Sequence, residues 1–393
     1  MKTFLQFNEE ASEEKLKHLE HAEDHPINAG HEGTMHAITT LRQTANALRG
    51  QPSSVRLMTK FDGSPSIVFG RHPETGRFFV ASKSAFNKDP KINYTLEDIQ
   101  RNHGHAPGLV AKLSAALQHL PKVTPSSGVY QADIMHTPKD VMEDHEKVSF
   151  RPNTITYSVP TQSDIASKIR RSRIGIAVHT AYHGKDFASL KAEYGADTSG
   201  FAKHPDVHVI STQYNPAHAS YTDDDHSEFN KHIQAASDVA RQIRPEHYGV
   251  LDDHNHKDMM KMYINQTVRN NTKPDVEGYK GFVKERASIA ASKVKSDAAK
   301  KTKLDIGDAA VTHIDANQEH FENILNLHHH LQQAKNVLVG AMSRSSDFQH
   351  HIAGQATEPE GFVAVINNRP TKYTRRDVFN RMNFRDFLRG KEG

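Results

Sequence analysis

Lys60 opens a Lys-Phe-Asp-Gly tetrapeptide directly after the β-rich run VRLMTK, and these residue types could do covalent chemistry. A lysine at a strand end becomes a nucleophile when burial or cationic neighbours lower its pKa. Asp62-Gly63 favours a turn, and Gly63, lacking a Cβ, lets the backbone approach a ligand closely. Taken alone, the tetrapeptide reads better as a solvent-facing hairpin lysine. The residues downstream of it, and their order, strengthen the chemical reading. Ser82-Lys83-Ser84 closes a later β-rich run, and YQADIM places Asp133 within an apolar strand, where a carboxylate needs a partner. EPEGFVAV sets Glu360 and Gly361 at the start of another apolar strand, and PTKYTRR puts Lys372 on the next. A nucleotide phosphate with a divalent metal requires such groups: lysines against phosphate charge, carboxylates for Mg²⁺ or for ribose hydroxyls.

The elements that must position these groups are legible as changes of period. The first fifty residues read as helical: Ser12 caps a charged segment that Pro26 ends, and Ile38, Leu41, Ala45 and Leu48 then share one helix face. From Val55 the period becomes two, in VRLMTK, SIVFG and RFFVAS, with HPETG as a hairpin-like loop. Leu109, Val110, Leu113, Leu117 and Leu120 mark a helix; strand runs resume at VYQADIM, TITYSV, IGIAV and VHVIS. Near residue 220 a long Ala-, Lys- and His-rich helical stretch begins, with Phe321, Ile324, His328, Leu331, Leu338 and Met342 on one face. β structure returns at GFVAVI and TKYT. The expected organisation is an α+β body: helical residues 1–54, a first core part at 55–219, a helical insertion at 220–350, and final core strands with a basic tail at 351–393.

Composition narrows the function classes. Lys plus Arg total 50 against 47 for Asp plus Glu, a balance that neither announces a nucleic-acid binder nor excludes a local basic groove. Cysteine is absent, which excludes disulfides, thiolate zinc sites and a cysteine nucleophile. No apolar run is long enough to span a bilayer, and the N-terminus lacks a signal peptide's apolar stretch, so the expected setting is cytoplasmic and not membrane-bound.

The ordered set resembles the covalent nucleotidyltransferase superfamily of ATP-dependent RNA and DNA ligases and mRNA capping enzymes. Lys60–Gly63 looks like the nucleotide-attachment motif, Ser82–Ser84 the motif just downstream, YQADIM the strand motif with an acid, Glu360–Val363 the Glu-Gly motif and Lys372 the final lysine motif. FRPNTITYSV and LEHAEDHPINAG are also similar to ligase-like proteins of large tailed bacteriophages, which would place the chain in a host cytoplasm. The resemblance implies a ligase-type core of antiparallel sheets flanked by helices. It implies that Lys60 attacks the α-phosphate of ATP to form a lysyl-AMP, that Glu360 and Asp133 bind Mg²⁺ or Mn²⁺, and that Lys372 neutralises the α-phosphate. Asp62, Gly63, Lys83, Asp133 and Arg375 would contact the nucleotide. Tyr157 or Tyr182 would stack on the base. The implied function is sealing of 5′-phosphate and 3′-hydroxyl ends of nucleic acid, RNA rather than DNA. Three departures stand out: Pro65 where the family often has Arg or Asn, Asp133 where a Glu is usual, and a long gap between Lys60 and Glu360 made by the helical insertion. Pro65 and Asp133 motivate the alternative of a non-catalytic nucleic-acid-binding or phage assembly protein. A GTP-dependent capping-type enzyme is a second alternative, against which the little chain after Lys372 argues, since it leaves no room for a C-terminal OB-fold and favours an RNA-ligase-like arrangement.

Other features have two readings each. HLEHAEDH, DDHNHKD and LHHHLQQ hold close histidines and acids that suit a metal or simply solvated and capping roles. Lys168–Arg173 and Lys293–Lys303 are basic stretches that suit phosphates or a solvated surface; Arg375, Arg376 and Arg381 lie beside the final lysine motif. YTDDDH reads as a helix N-terminus, where acids are favourable.

Overall fold

The structure, a computed structural model, describes residues 19–376. The chain divides into two compact units. The first comprises Arg56–Asn215 and Ser345–Pro370; the second comprises Glu20–Val55, Pro216–Arg344 and the segment from Thr371. The protein is α+β, as its periodicities predict. Glu20–Val55 and the segment from Thr371 belong to the same unit as Pro216–Arg344, so the units are not consecutive in sequence.

Helix α1 (His25–Leu48) comes first, in the second unit. Pro26 stands in its opening turn instead of ending a preceding helix, a position where a missing N–H costs nothing. The proposed Ser12 cap lies outside the described residues. Ala29 (φ −130°) and Gly30 (φ 55°) interrupt α1, so the face formed by Ile38, Leu41, Ala45 and Leu48 belongs to the stretch after the kink, where all four are buried.

The first unit continues with β1 (Arg56–Lys60), β2 (Ser66–Arg71), β3 (Phe78–Ala81), α2 (Leu96–His103), α3 (Pro107–His119) and β4 (Val129–His136). Next come β5 (Val141–Glu143), β6 (Lys147–Phe150), β7 (Thr156–Pro160), α4 (Asp164–Arg171), β8 (Ile174–His183), β9 (Lys191–Tyr194) and β10 (Val207–Ser211). A central sheet runs β10-β8-β4-β2-β3, with β9 also on β8. Its pairs are antiparallel except β8 with β10, which is parallel and departs from the all-antiparallel expectation. Both faces are covered. Ile67 and Phe69 pack with Leu113, Ala116 and Leu120 of the α3 region, whereas Val68 faces Phe79, Phe86 and Tyr182. A strand buried on both faces reads as a continuous apolar run, which is why SIVFG shows no polar alternation.

In the second unit follow α5 (Asp223–Gln242), α6 (His256–Asn270), α7 (Val276–Ser292), α8 (Asp297–Ala316) and α9 (Gln318–Ser343). Thr222 caps α5 reciprocally with Asp225, so YTDDDH is a helix start. Helix α9 packs on α5 and α1, and its buried Phe321, Ile324, Leu331, Leu338 and Met342 include the expected stripe.

The chain re-enters the first unit with β11 (Gln349–Ile352), β12 (Gln355–Thr357) and β13 (Gly361–Ile366), and leaves it within β14 (Arg369–Tyr373). Strands β12-β11-β7-β6-β5 form a second sheet. Strand β13 pairs antiparallel with β1, with Lys60 opposite Gly361. That register brings the two motif-bearing ends together.

Candidate nucleotidyl-transfer site

Lys60 is the last residue of β1, and Glu360 immediately precedes β13. The β1–β13 register therefore sets the two side chains side by side, and Lys60 Nζ donates to Glu360 Oε1 at 2.5 Å, 300 positions apart in sequence. Lys60 keeps 26% of its side chain exposed while Glu360 keeps 7%, so the amine is reachable and the carboxylate is not a solvated surface group. Gly361 has φ 148°, a conformation that favours glycine, and it follows the acid directly.

After Lys60 the chain turns sharply and is held at each residue. Asp62 is buried, and its carboxylate accepts from Asn153 Nδ2 (2.8 Å), Thr154 N (2.8 Å) and Ile155 N (2.9 Å). Its own amide donates to Tyr157 Oη at 2.7 Å. A Cβ on Gly63 would lie 2.4 Å from Asp133 Cβ and 2.9 Å from Met135 Sδ, so only glycine allows the turn to rest on β4. Ser64 N donates to Ile134 O and Ile134 N to Pro65 O, both at 3.0 Å, which extends the contact with β4 through the departure at Pro65. Lys112 of α3 donates to Ser64 O at 2.8 Å.

Asp133 stands opposite Ser66 in the β2–β4 pair. Its Oδ1 lies 3.8 Å from His179 Nε2. Burial opposes ionisation of Asp133, but the His179 imidazole and the Lys60 ammonium outweigh it and hold the carboxyl below its usual range. One partly exposed lysine thus feels two carboxylates on different strands.

Several expected residues take other roles. Asp62 braces the turn, with three protein donors on its carboxylate. Tyr157 is 1% exposed and packs with Phe61, Phe150 and Phe348 beneath the turn. Tyr182 is 2% exposed and donates to Gln131 Oε1 at 2.7 Å. Both rings are enclosed by protein, which leaves neither a face for a base. Lys83 stands at the head of a 3-10 turn, Lys83–Phe86, where Ser82 Oγ accepts from Ser84 N. Lys372 lies on β14, in the three-stranded sheet with β1 and β13, and its backbone N–H donates to Glu20 O at 2.7 Å; Arg375 lines a cavity of the second unit.

The sequence reading missed His179, Lys112 and the role of Asn153. Asn153 and Thr154 sit in the FRPNTITYSV phrase, which did stand out, but nothing local announces that they serve a carboxylate far upstream. The basic stretch at Lys168–Arg173 is partly spent, since Arg170 forms a fork with Glu143. His256 bonds Tyr279 Oη at 2.7 Å, and His328 meets Asp24 at 3.2 Å, both packing roles. His18 and Arg381 lie outside the described residues.

Among the described residues no group of three or more His, Cys, Asp or Glu is placed to hold a metal by itself. Mg²⁺ does not require one. It is commonly held by one or two carboxylates together with waters and substrate phosphates. Glu360 and Asp133 are hard oxygen donors about Lys60 and fit that use. Among the described residues, no helix is long and apolar enough to cross a membrane.

An α+β unit with a strand-end lysine clasped by an acid from the neighbouring strand is the setting for comparison with known proteins. A family of unknown function, DUF6267, matches residues 15–386, and the chain belongs to that family. No curated protein and no solved structure matches the chain.

Proposed function

We propose that the first unit is an ATP-dependent nucleotidyltransferase that loads AMP on Lys60 and transfers it to a polynucleotide 5′-phosphate for sealing by a 3′-hydroxyl, with RNA as the favoured strand. The observation that carries the reading is the Lys60–Glu360 contact at 2.5 Å, created by strand register between residues far apart in sequence. A surface hairpin lysine has no need of such a partner, nor of a glycine turn packed against a second acid.

In this reading Glu360 Oε1 orients the Lys60 ammonium, whose proton passes to solvent at its partly exposed side chain. The freed amine attacks the α-phosphorus of ATP; a P–N bond forms, the P–O bond to pyrophosphate breaks, and pyrophosphate leaves. Glu360 and Asp133 would hold Mg²⁺, which would supply neutralisation of the phosphate charge. Asp133, kept ionised beside His179, would also serve a ribose hydroxyl. The phosphoramidate then gives AMP to the 5′-phosphate, restoring the Lys60 amine, and the 3′-hydroxyl displaces AMP.

Intact mass after incubation with ATP and Mg²⁺ tests the first half-reaction. The wild-type chain, pre-treated with pyrophosphate, should gain the mass of one AMP, and Lys60→Ala should gain none. A parallel incubation with GTP separates the capping-type chemistry. A chain that gains neither nucleotide is not a nucleotidyltransferase, and the non-catalytic binding role then takes its place.

A further inference from the structure

The second unit contains a cavity of about 470 Å³ formed by α5, α6, α9, the segment after α6 and Arg375. That is within the usual range of roughly 300–1,000 Å³ for small-molecule sites. Its charge is one-sided. Glu228 is the acid in its wall, and that carboxylate is already engaged by Lys231 Nζ (3.2 Å) and His232 Nε2 (2.9 Å). Lys273 in the wall forms no salt bridge among the described residues, and the Arg375 side chain also lines the cavity. Asn336 contributes a buried Oδ1 without a hydrogen-bond partner. Turned about its Cβ–Cγ bond, the same amide presents two N–H donors to the cavity.

Lys273 and Arg375 place cationic side chains at this wall. His329, on the α9 wall, is pushed down to about 4, first by burial and then by Lys273, His330, His232 and His328, every one of them a cationic or potentially cationic neighbour. A concentration of positive charge on a concave, donor-rich wall is unfavourable by itself and is relieved by a bound anion.

We propose that this cavity is a phosphate-binding site, separate from the lysine that would carry AMP, and that it takes the phosphate group of a nucleotide or of a polynucleotide strand. Lys273 and Arg375 supply the charge; His329 and Asn336 supply donors. The proposal stands whether or not Lys60 is adenylated, because every residue in it belongs to the helical unit.

The test uses the full chain carrying Lys60→Ala, which removes covalent transfer. Fluorescence anisotropy follows binding of a labelled single-stranded oligonucleotide, with and without a 5′-phosphate, and inorganic phosphate and AMP serve as competitors. Lys273→Ala should weaken binding of the phosphorylated probe roughly tenfold, the loss of one charge-assisted contact. It should also reduce the slope of log affinity against log salt by about 0.7 for a single strand. Lys273→Arg should retain binding. Competition by AMP alone identifies a free nucleotide as the ligand; a preference for the 5′-phosphorylated strand identifies a strand end. The proposal is overturned if the parent binds none of the probes, or if Lys273→Ala binds all of them as the parent does with an unchanged melting temperature. Because Lys60 is already removed, neither result depends on the transfer chemistry.

Discussion

At the residue scale the turn after Lys60 is held by one carboxylate. Asp62 takes three donors, two of them backbone N–H groups. Asp62→Ala therefore strips partners from these amides at about 1–3 kcal/mol each, and it frees the turn that aims Lys60. The expected outcome is a loss of stability of about 2–5 kcal/mol together with loss of AMP loading. Asp62→Asn keeps one oxygen for the Thr154 and Ile155 amides, and its NH₂ can face a flipped Asn153 amide, so it should recover much of the stability. Denaturant unfolding of the three proteins beside intact-mass adduct yield checks this; equal stability of Asp62→Ala and wild type would remove the brace. A sequence shows Asp62 next to Gly63 and suggests a turn, but it gives no sign that the acid faces inward. The same holds for Tyr157. An aromatic that stacks on a base and one that fills a core have the same letter, and its place under Phe61, Phe150 and Phe348 comes from strands β6 and β7 and a residue almost two hundred positions later.

At the element scale the helical unit is tied by buried charge. The 3-10 turn Ala22–Asp24, helix α9 and Arg376 meet in one network: Lys335 Nζ donates to Glu23 Oε1 at 2.7 Å, Arg376 Nε lies 3.5 Å from the same oxygen, and Arg376 also pairs with Asp24. Both Glu23 and Lys335 are fully buried. Burial would raise Glu23, but Lys335 and Arg376 overcome it and lower the carboxyl to about 2. Lys335→Met removes one partner from a buried charge, so the expected cost is about 3–5 kcal/mol. The double change Glu23→Gln with Lys335→Met takes out much of the unpaired charge and should restore a large part of the loss. Chemical denaturation of the two variants distinguishes the cases; a double variant no more stable than the single one would mean that the network acts by shape alone. None of this pairing was visible in the sequence, where LQQAKNV reads as an ordinary helix face and EDHP as the end of a charged helical segment. The elements themselves were more legible. Long apolar strands such as β2, β4, β8 and β13 declare themselves by β-branched runs, whereas β5, β9 and β12 are short and carry too few apolar residues to stand out from loops.

At the scale of the whole molecule, histidine sets the conditions under which either unit stays folded. The sequence has 28 histidines, enough to invite metal readings, yet several are packed in the interior. In the first unit His136 bonds His208 at 3.3 Å, ring to ring, and packs on Phe150. Burial, then His208, push His136 down to about 3; burial, then Lys168, push His208 down to about 4. Burial, then His351, lower His350 to about 4. In the second unit burial, then His313, lower His256 to about 4. In all four the folded state binds its proton later than the unfolded chain does. The stability they permit is present above the unfolded pKa of about 6.5. It falls as pH drops from there toward the folded values, by about 1.4 kcal/mol per histidine per pH unit, and levels off below them. Against a net stability of roughly 5–15 kcal/mol, four such groups bring acid unfolding into the range between about pH 6 and 4. Asp133 and Glu23 act at lower pH, because both carboxyls are held below their ordinary values and release their stability only as pH falls toward those lower values. Melting temperature against pH should therefore decline from about pH 6.5 downward, and His208→Gln, which removes one of the titrating rings, should make the decline shallower. A curve flat from about pH 7 to about pH 4.5 would show that these imidazoles reach water before they protonate.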